Sequence, residues 1–376
     1  MKICILRLSA IGDCINAAAA AGALMRHFPD AKITWIISAP GAALLTPLLP
    51  GVDFVICRHK GIRGALELRK RLSGERFDVL LMMQYALSAS LASLGIRADL
   101  RVGFDRERSR ELQWLFAGRR IPSGGGRHVV DGFMAFAAAC GVPDPVPWWD
   151  LTIPADVLAR GRELLGQGTG RTALLAPCTS RESKNWPLAS LLEVASGLLA
   201  RGLRVFLLGG RSEAERRLED ALQERCPGIT SLVGRTSLPE CYACVRLADL
   251  LISADTAQVH MANAAGTPVI GLYATHDPAR VGPYLDRQYC VSVYEELARE
   301  EYGRSPEELP WRTRVRIPGA MERITAAMIL EKADRLLADL AQKVAGRSGM
   351  QEPGAPAPEA PAPDPGAPAS GREDHR

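Results

Sequence analysis

The sequence predicts an α/β protein made of two doubly wound domains, each a parallel sheet with helices on its faces. Short apolar runs alternate with amphipathic stretches, as strands and helices do in βαβ units. A segment with four prolines, residues 141–154 (GVPDPVPWWDLTIP), interrupts this alternation, which resumes after it. The length of 376 residues is enough for two domains of ordinary size. We therefore expect domains over 1–150 and 151–348, with a ligand-binding cleft between them.

The first domain is predicted to alternate five strands with five helices. The apolar run KICILRL opens it, an Ala-rich stretch follows, and each later pair repeats this order. We expect strands at 2–8, 32–37, 53–57, 78–83 and 100–103, and helices at 14–27, 40–47, 62–73, 87–95 and 128–140.

The second domain is predicted to repeat the pattern and to end in a long helix. We expect strands at 172–176, 203–208, 229–233, 249–253 and 268–272, and helices at 187–200, 212–224, 238–247, 256–264 and about 322–346. Residues 349–376 are rich in proline and alanine and are predicted to be a disordered tail, because such a composition cannot build a core.

The composition excludes several classes of protein. A hydrophobic fraction of 47% and a charged fraction of 23% exclude a wholly disordered, collagen-like or disulfide-stapled chain. The nine cysteines have no regular spacing, which favours a reducing compartment. Cys241 and Cys244 form a CxxC without a second pair, and we interpret them as small residues on a buried helix face. No run of about 18 apolar residues occurs, and Arg7 and Asp13 interrupt the apolar N-terminus, so we expect a cytoplasmic protein.

The first candidate functional segment is residues 7–13 (RLSAIGD), between the first strand and the first helix. Gly12 permits a tight turn and the close approach of a ligand. Asp13 is either a helix N-cap or a functional carboxylate. The segment is not a dinucleotide fingerprint, because GxGxxG is missing.

A second candidate segment, residues 177–187 (PCTSRESKNWP), follows the first strand of the second domain. The hydroxyls of Thr179 and Ser180, a basic group and free backbone amides suit phosphate oxygens. Only seven of the 46 basic residues are lysines, and Lys184 is the only lysine between residues 71 and 331. It is either a solvated surface lysine or a site that requires a compact ammonium.

A third candidate segment, residues 251–260 (LISADTAQVH), again joins a strand end to a helix start. Asp255 or Thr256 would cap the helix, whose first amides form an anion site. His260 lies one turn into that helix, and it is either structural or a ligand contact. In a fourth segment, residues 209–213 (GGRSE), Glu213 would bind ribose hydroxyls or complement the helix dipole.

Basic residues are concentrated in the loops of the first domain, although the net charge of the chain is only +4. They form either a solvated face or a surface for an anionic partner, and the lack of interleaved aromatics disfavours nucleic acid. There is no DxD motif and no cluster with metal-ligand spacing, so we expect no cofactor and no metal. The residues concerned are Arg58, His59, Lys60, Arg63, Arg101, Arg106, Arg108, Arg110, Arg119, Arg120 and Arg127.

Taken together, these motifs resemble glycosyltransferase family 9, the lipopolysaccharide heptosyltransferases. The matching pieces are ILRLSAIGD, GFDRERSRE at 103–111, TSRESKNWP, LLGGRSEAE and SADTAQVHMANAAGTPVIGLYATHDPARVGPY at 253–284. The resemblance covers most of residues 1–340. It implies a GT-B fold with two Rossmann-like domains, and inverting, metal-independent sugar transfer, typically from ADP-heptose.

The resemblance also implies roles for individual residues. Asp13 matches the proposed general base, and Lys184 matches the residue that stabilises the departing diphosphate. The residues implied to bind the donor are Thr179, Ser180, Lys184, Glu213, Asp255, Thr256, Ala257 and His260. The residues expected to bind an anionic glycolipid acceptor are Arg58, Lys60, Arg63, Arg110 and His128.

One departure from the family pattern is Ala257, where the family commonly has glycine, and its methyl narrows the approach to a phosphate. The segments 84–90 and 103–111 look most like heptosyltransferase I, which acts on Kdo₂-lipid A. The basic loops would also draw the enzyme to the inner face of the inner membrane as a peripheral protein. The alternatives are transfer from another nucleotide sugar, a nucleotide-dependent oxidoreductase, and a binding protein with a degenerate site.

Overall fold

Two six-stranded parallel sheets form the framework of the protein, a computed structural model that describes residues 1–123 and 126–349. The strand order is β3-β2-β1-β4-β5-β6 in the first sheet and β9-β8-β7-β10-β11-β12 in the second. Every strand pair is parallel. Both sheets therefore have the same doubly wound order, and the predicted fold class is confirmed.

The first sheet and its helices are built from the following elements: β1 Lys2–Leu6, α1 Ile11–His27, β2 Lys32–Ile37, α2 Ala39–Leu48, β3 Val52–Ile56, α3 Gly61–Arg71, β4 Phe77–Leu81, α4 Leu87–Ala92, β5 Ala98–Gly103, β6 Arg119–Arg120 and α5 Val129–Ala139. The strands and helices expected in this half are all present, with ends that shift by a few residues.

The second sheet and its helices follow: α6 Ala155–Leu165, β7 Thr172–Ala176, α7 Leu188–Ala200, β8 Arg204–Leu207, α8 Glu213–Arg225, β9 Thr230–Ser231, α9 Leu238–Leu247, β10 Leu250–Ala254, α10 Ala257–Ala265, β11 Val269–Tyr273, α11 Pro278–Val281, β12 Val291–Ser292, α12 Tyr294–Tyr302 and α13 Ala326–Gly349. The sequence pattern missed α6, α11, α12 and the edge strands β6 and β12. β6 consists of two arginines outside any apolar run, β12 is only two residues long, and α6 begins directly after the proline-rich segment.

Helix α1 explains the alanine-rich composition of the N-terminus. Residues 17–21 are five consecutive alanines with no exposed surface, and α1 packs against both α5 and α10. Small side chains allow the backbones of these helices to approach closely. Helix α1 thus connects the first sheet to a helix of the second sheet.

Residues Met1–Leu336 form one compact unit, which contains both sheets, and the predicted domain boundary near residue 150 stays a prediction. Cys241 and Cys244 are buried in α9, as expected, and burial raises the pKa of each thiol to about 12. Among the described residues, no helix is both long and apolar enough to cross a membrane. The predicted tail beyond Gly349 lies outside the described residues.

Candidate active site

The topology of the two sheets determines where a ligand can bind. In each sheet the strand order reverses at one point: the chain first adds strands on one side of the first strand and then continues on its other side. These switch points lie between β1 and β4 and between β7 and β10. Loops that leave adjacent strands in opposite directions open a crevice at their carboxyl ends. Residues from the ends of all four strands line one cavity of about 740 Å³, within the range of ligand-binding pockets.

The cavity brings together most of the residues that the motifs predicted. Its lining includes Asp13, Thr179, Ser180, Lys184, Asp255, Thr256, Ala257 and His260. These residues come from three separate segments of the sequence, on both sheets, so their convergence was not built into any one motif.

Asp13 lies in the first turn of α1, where it pairs with Arg7 instead of capping the helix. The N-cap residue is Ala10, which has no side-chain cap, and the Asp13 carboxylate forms an ion pair with Arg7. The Arg7 side chain is only 4% exposed and also donates to the backbone oxygen of Met83 at 2.7 Å. The Asp13 carboxylate is therefore paired with a buried cation. Its side chain is still 38% exposed and lines the cavity.

Lys184, Asp255 and His276 form a tight charged cluster that also lines the cavity. Lys184 Nζ lies 2.8 Å from Asp255 Oδ2 and 2.6 Å from His276 Nδ1, and His276 Nδ1 lies 2.6 Å from Asp255 Oδ2. The side chains are 13%, 17% and 9% exposed, respectively. If His276 Nδ1 carries a proton, it donates to Asp255; if it carries none, it accepts from Lys184. It cannot do both at once.

Burial and charge act in opposite directions on the pKa values of this cluster. Burial acts to raise the pKa of Asp255, but the hydrogen bond from His276 and the charge of Lys184 outweigh it and hold the pKa well below its usual range. Burial lowers the pKa values of Lys184 and His276, and Asp255 opposes this effect on both. Asp255 is therefore ionised and is the anion that neutralises Lys184.

The first turn of α10 forms another side of the cavity. Thr256 is the N-cap, as one of the two predicted alternatives, and its hydroxyl accepts from the backbone N–H of Gln258 at 3.3 Å. His260 is buried, which lowers its pKa, and its Nδ1 lies 3.2 Å from Asn16 Nδ2 of α1. Because an amide nitrogen donates, Nδ1 accepts and the neutral ring carries its proton on Nε2.

Gly12 serves the contact between α1 and α10. A Cβ atom at this position would lie 2.5 Å from Cδ2 of His260. The His260 ring thus lies where a side chain at residue 12 would be, and the predicted close approach of a ligand at Gly12 stays a prediction.

The loop after β7 presents Thr179 and Ser180 at the cavity in different ways. The Thr179 hydroxyl donates to the backbone oxygen of Arg181 at 2.7 Å, and its backbone N–H donates to Asn185 Oδ1 at 2.7 Å. Thr179 thus shapes the loop, while Ser180 is exposed. A ligand would meet an ordered turn here.

Glu213 does not line the cavity; its neighbours do. It is the first residue of α8, is 77% exposed and pairs with Arg217 at 3.0 Å. Ser212 and Glu215 line the cavity instead and form a capping box. Glu215 accepts from the backbone N–H of Gly210 at 2.6 Å. The S-x-x-E spacing could have indicated Glu215 from the sequence.

The residues predicted to bind an acceptor lie outside this cavity. Arg58, Lys60 and Arg63 are exposed on the loop after β3 and the start of α3, and Arg110 is exposed at an adjoining cavity. His128 is fully buried as the N-cap of α5, where its Nε2 lies 2.8 Å from the backbone oxygen of Gly282. Burial lowers its pKa to about 3, so the ring is neutral and, in this conformation, out of reach of an acceptor.

Several residues that line the cavity were given no functional role in the sequence analysis. Tyr85 follows β4, His276 and Arg280 follow β11, and Arg312 lies in the segment between α12 and α13. The rule that ligands meet the carboxyl ends of parallel strands could have found the first three. No three His, Cys, Asp or Glu side chains in the described part of the chain are grouped so as to hold a metal ion.

Comparison with known proteins gives consistent matches. Residues 65–311 match the family described as glycosyltransferase family 9 (heptosyltransferase). The lipopolysaccharide core heptosyltransferase OpsX of Haemophilus influenzae is 37% identical over 337 residues, which cover 89% of this chain and 96% of that protein.

Solved structures match the fold. The crystal structure of the glycosyl transferase family 9 from Veillonella parvula DSM 2008 aligns with a TM-score of 0.72 at 17% identity, over 90% of this chain and 97% of that one. The E. coli heptosyltransferase WaaC with ADP aligns with a TM-score of 0.69 at 20% identity, over 89% and 100%.

Proposed function

The chain belongs to glycosyltransferase family 9, and we propose that it transfers heptose from ADP-heptose to the inner core of lipopolysaccharide. One observation carries the proposal: a partly exposed carboxylate, Asp13, and a mostly buried ammonium, Lys184, line the same cavity from different sheets. Sugar transfer requires one group that removes a proton from the acceptor and another that stabilises the leaving anion.

Asp13 is the proposed general base. The acceptor hydroxyl oxygen attacks the anomeric carbon of the donor sugar, and its proton moves to the Asp13 carboxylate as the bond to the diphosphate breaks. Arg7 positions this carboxylate through its ion pair, and Arg7 is itself fixed by Met83 and lies with Cζ 5.5 Å from the Phe133 ring centre. Attack from the side opposite the leaving group inverts the anomeric configuration.

Lys184 is the proposed partner of the departing diphosphate. In the present arrangement its ammonium donates to Asp255, and an incoming diphosphate would compete with that carboxylate for it. The backbone N–H groups at the start of α10, beside Thr256 and Ala257, add positive potential on the same side. We propose that these groups neutralise the diphosphate without a metal ion.

The identity of the nucleotide rests on relatives. WaaC was solved with ADP, and another structure of the same enzyme holds ADP-2-deoxy-2-fluoro heptose. Both structures support an ADP-sugar donor here. We propose that Ser212 and Glu215, which line the cavity, make the ribose contacts that were expected of Glu213. The proposed acceptor is a Kdo-lipid A type glycolipid. The enzyme would reach it as a peripheral protein at the inner face of the inner membrane.

A thermal-shift screen of nucleotide sugars tests the donor assignment. A ligand present at 100 times its Kd stabilises the fold by about 2.7 kcal/mol, which gives a measurable rise in Tm. We expect ADP-heptose to stabilise the protein more than UDP-, GDP- or CDP-sugars at equal concentration. A stronger response to another nucleotide sugar would favour a different donor, and a response to NAD⁺ or NADP⁺ alone would favour the oxidoreductase alternative.

A further inference from the structure

A second cavity, of about 520 Å³, adjoins the candidate active site and is lined by arginines. The two cavities share Tyr85, Arg280, Arg312 and Arg314 as lining residues. Arg110 and Arg316 also line the second one. We call this cavity the arginine cleft.

Four arginines of the cleft have no ion-pair partner in the described part of the protein, although Asp13 and Asp255 lie near enough to act on the charge of Arg280. Among the described residues, no carboxylate lies within salt-bridge distance of Arg110, Arg280, Arg312 or Arg314, and none of the lining residues is Asp or Glu. Arg316 differs, because Glu301 accepts its backbone N–H at 2.6 Å and places a carboxylate beside it. The argument therefore rests on the other four arginines.

Two of these arginines, the buried Arg280 and the partly buried Arg312, are incompletely hydrogen-bonded. Arg280 is 9% exposed, and the Nε atoms of both Arg280 and Arg312 are buried without a hydrogen-bond partner in the described structure. Aromatic rings hold the guanidinium groups in place: Cζ of Arg312 lies 3.4 Å from the Tyr85 ring centre, and Cζ of Arg280 lies 5.1 Å from that of Trp311.

A bound anion would stabilise this group of arginines. Burial, together with the charges of Arg110 and Arg280, lowers the pKa of Arg312 to about 10, although Tyr85 opposes this effect. Burying like charges together is unfavourable unless a counter-charge joins them. Guanidinium groups fixed by aromatic stacking are suited to bidentate contacts with carboxylate or phosphate oxygens.

We propose that the arginine cleft binds an anionic substituent of the acceptor sugar, a carboxylate or a phosphate monoester, beside the hydroxyl that reacts. The inference rests on the proposed function for the identity of the ligand as an acceptor. The donor diphosphate already has Lys184 and the start of α10 in the first cavity, whereas Tyr85 and Arg110 come from loops of the first sheet, the sheet that carries Asp13.

The test compares Arg312→Met, Arg312→Lys and a matched control, Arg299→Met. Arg299 is exposed and pairs with Glu295 at 2.9 Å on α12, so its replacement removes the same charge outside the cleft. We expect Arg312→Met to raise the KM for Kdo₂-lipid A by roughly 10- to 100-fold, the effect of losing hydrogen bonds to a charged group, while the KM for ADP-heptose is unchanged. Arg312→Lys should give a smaller increase, and Arg299→Met none. An unchanged acceptor KM, or an increase for the donor alone, would overturn the proposal.

Modified acceptors identify the anion. Reducing the Kdo carboxylates to alcohols, or removing the phosphates of lipid A, should each be tested on the wild type and on Arg312→Met. The modification that raises the acceptor KM of the wild type but has no further effect on Arg312→Met removes the group that the cleft binds. If both modifications act equally on the two proteins, the cleft binds neither group and the proposal is wrong.

A binding measurement keeps this result separate from the proposed function. Inorganic phosphate should raise the Tm of the wild type and of Arg299→Met more than that of Arg312→Met, and this readout requires no sugar transfer. Equal shifts in all three proteins would refute an anion site at the cleft. If the shifts differ as expected but no heptose is transferred, the cleft binds anions and the proposed function fails alone.

Discussion

Replacing Asp255 with Asn removes the carboxylate that holds Lys184 and His276 in the charged cluster of the candidate active site. Because Lys184 is only 13% exposed, its ammonium would remain largely buried without an anionic partner. Breaking a buried ion pair in this way costs about 3–5 kcal/mol of folding free energy. At about 2.1 cal/mol/K per residue, the unfolding entropy of a chain of 376 residues is about 0.8 kcal/mol/K, so a loss of ~3 kcal/mol lowers Tm by about 4 °C.

The pH dependence of the Tm difference between the wild type and Asp255→Asn provides a second, independent test. The pKa of Asp255 is held below its usual range, so its stabilising effect is fully present above the unfolded-state pKa of about 4 and declines as the pH falls below that value. Because Asp255 also acts on the pKa of His276, both proteins carry His276→Gln in this experiment. The Tm difference that Asp255→Asn causes should then be constant from pH 7 to about pH 5 and should shrink at pH 3.

Differential scanning calorimetry at these pH values measures both effects. Glu295→Gln is the matched control, because it also removes one carboxylate from an ion pair, but at a site where both side chains are more than half exposed. We expect that control to change stability by no more than about 0.5 kcal/mol. A Tm for Asp255→Asn equal to that of the wild type at pH 7, or a difference that grows at pH 3, would refute this account of the cluster.

The remaining predictions concern the reaction itself. Asp13→Asn, which keeps the shape beside Arg7, should lower kcat by about 10²-fold or more while the calorimetrically measured affinity for ADP is retained; a near-wild-type kcat would exclude Asp13 as the base. Lys184→Met should weaken ADP binding and lower kcat together, and unchanged values of both would remove Lys184 from the diphosphate site. EDTA should leave the rate of heptose transfer unchanged, whereas a loss of activity that Mg²⁺ restores would show that the diphosphate is neutralised by a metal.

The fold and the position of the site follow from local features of the sequence. Apolar strands alternating with helices determine two parallel sheets, and the carboxyl ends of parallel strands meet at one edge. The loops that carry Thr179 and Asp255 could therefore be placed together from the sequence, and Asp13 could be placed at the corresponding edge of the other sheet, across the expected cleft. The rarity of lysine identified Lys184, which lies in the charged cluster at the cavity.

The partners of these residues could not be predicted, because they depend on contacts between distant segments. His276 meets Lys184 across 92 residues of sequence, and His260 meets Asn16 across 244. Arg312 lies in a segment between α12 and α13 that has no periodic pattern, so nothing in the sequence indicated that it faces Tyr85. The basic residues Arg58, Lys60 and Arg63 were conspicuous in the sequence, but they are exposed and lie outside both cavities.

The most direct test of the proposed function is mass spectrometry of Kdo₂-lipid A after incubation with ADP-heptose and the purified protein. The wild type should add one heptose to the acceptor and release one ADP for each transfer, and Asp13→Asn should do so at least about 10²-fold more slowly. The absence of a heptosylated product from the wild type, with a donor that binds and an acceptor that is intact, would contradict the proposal.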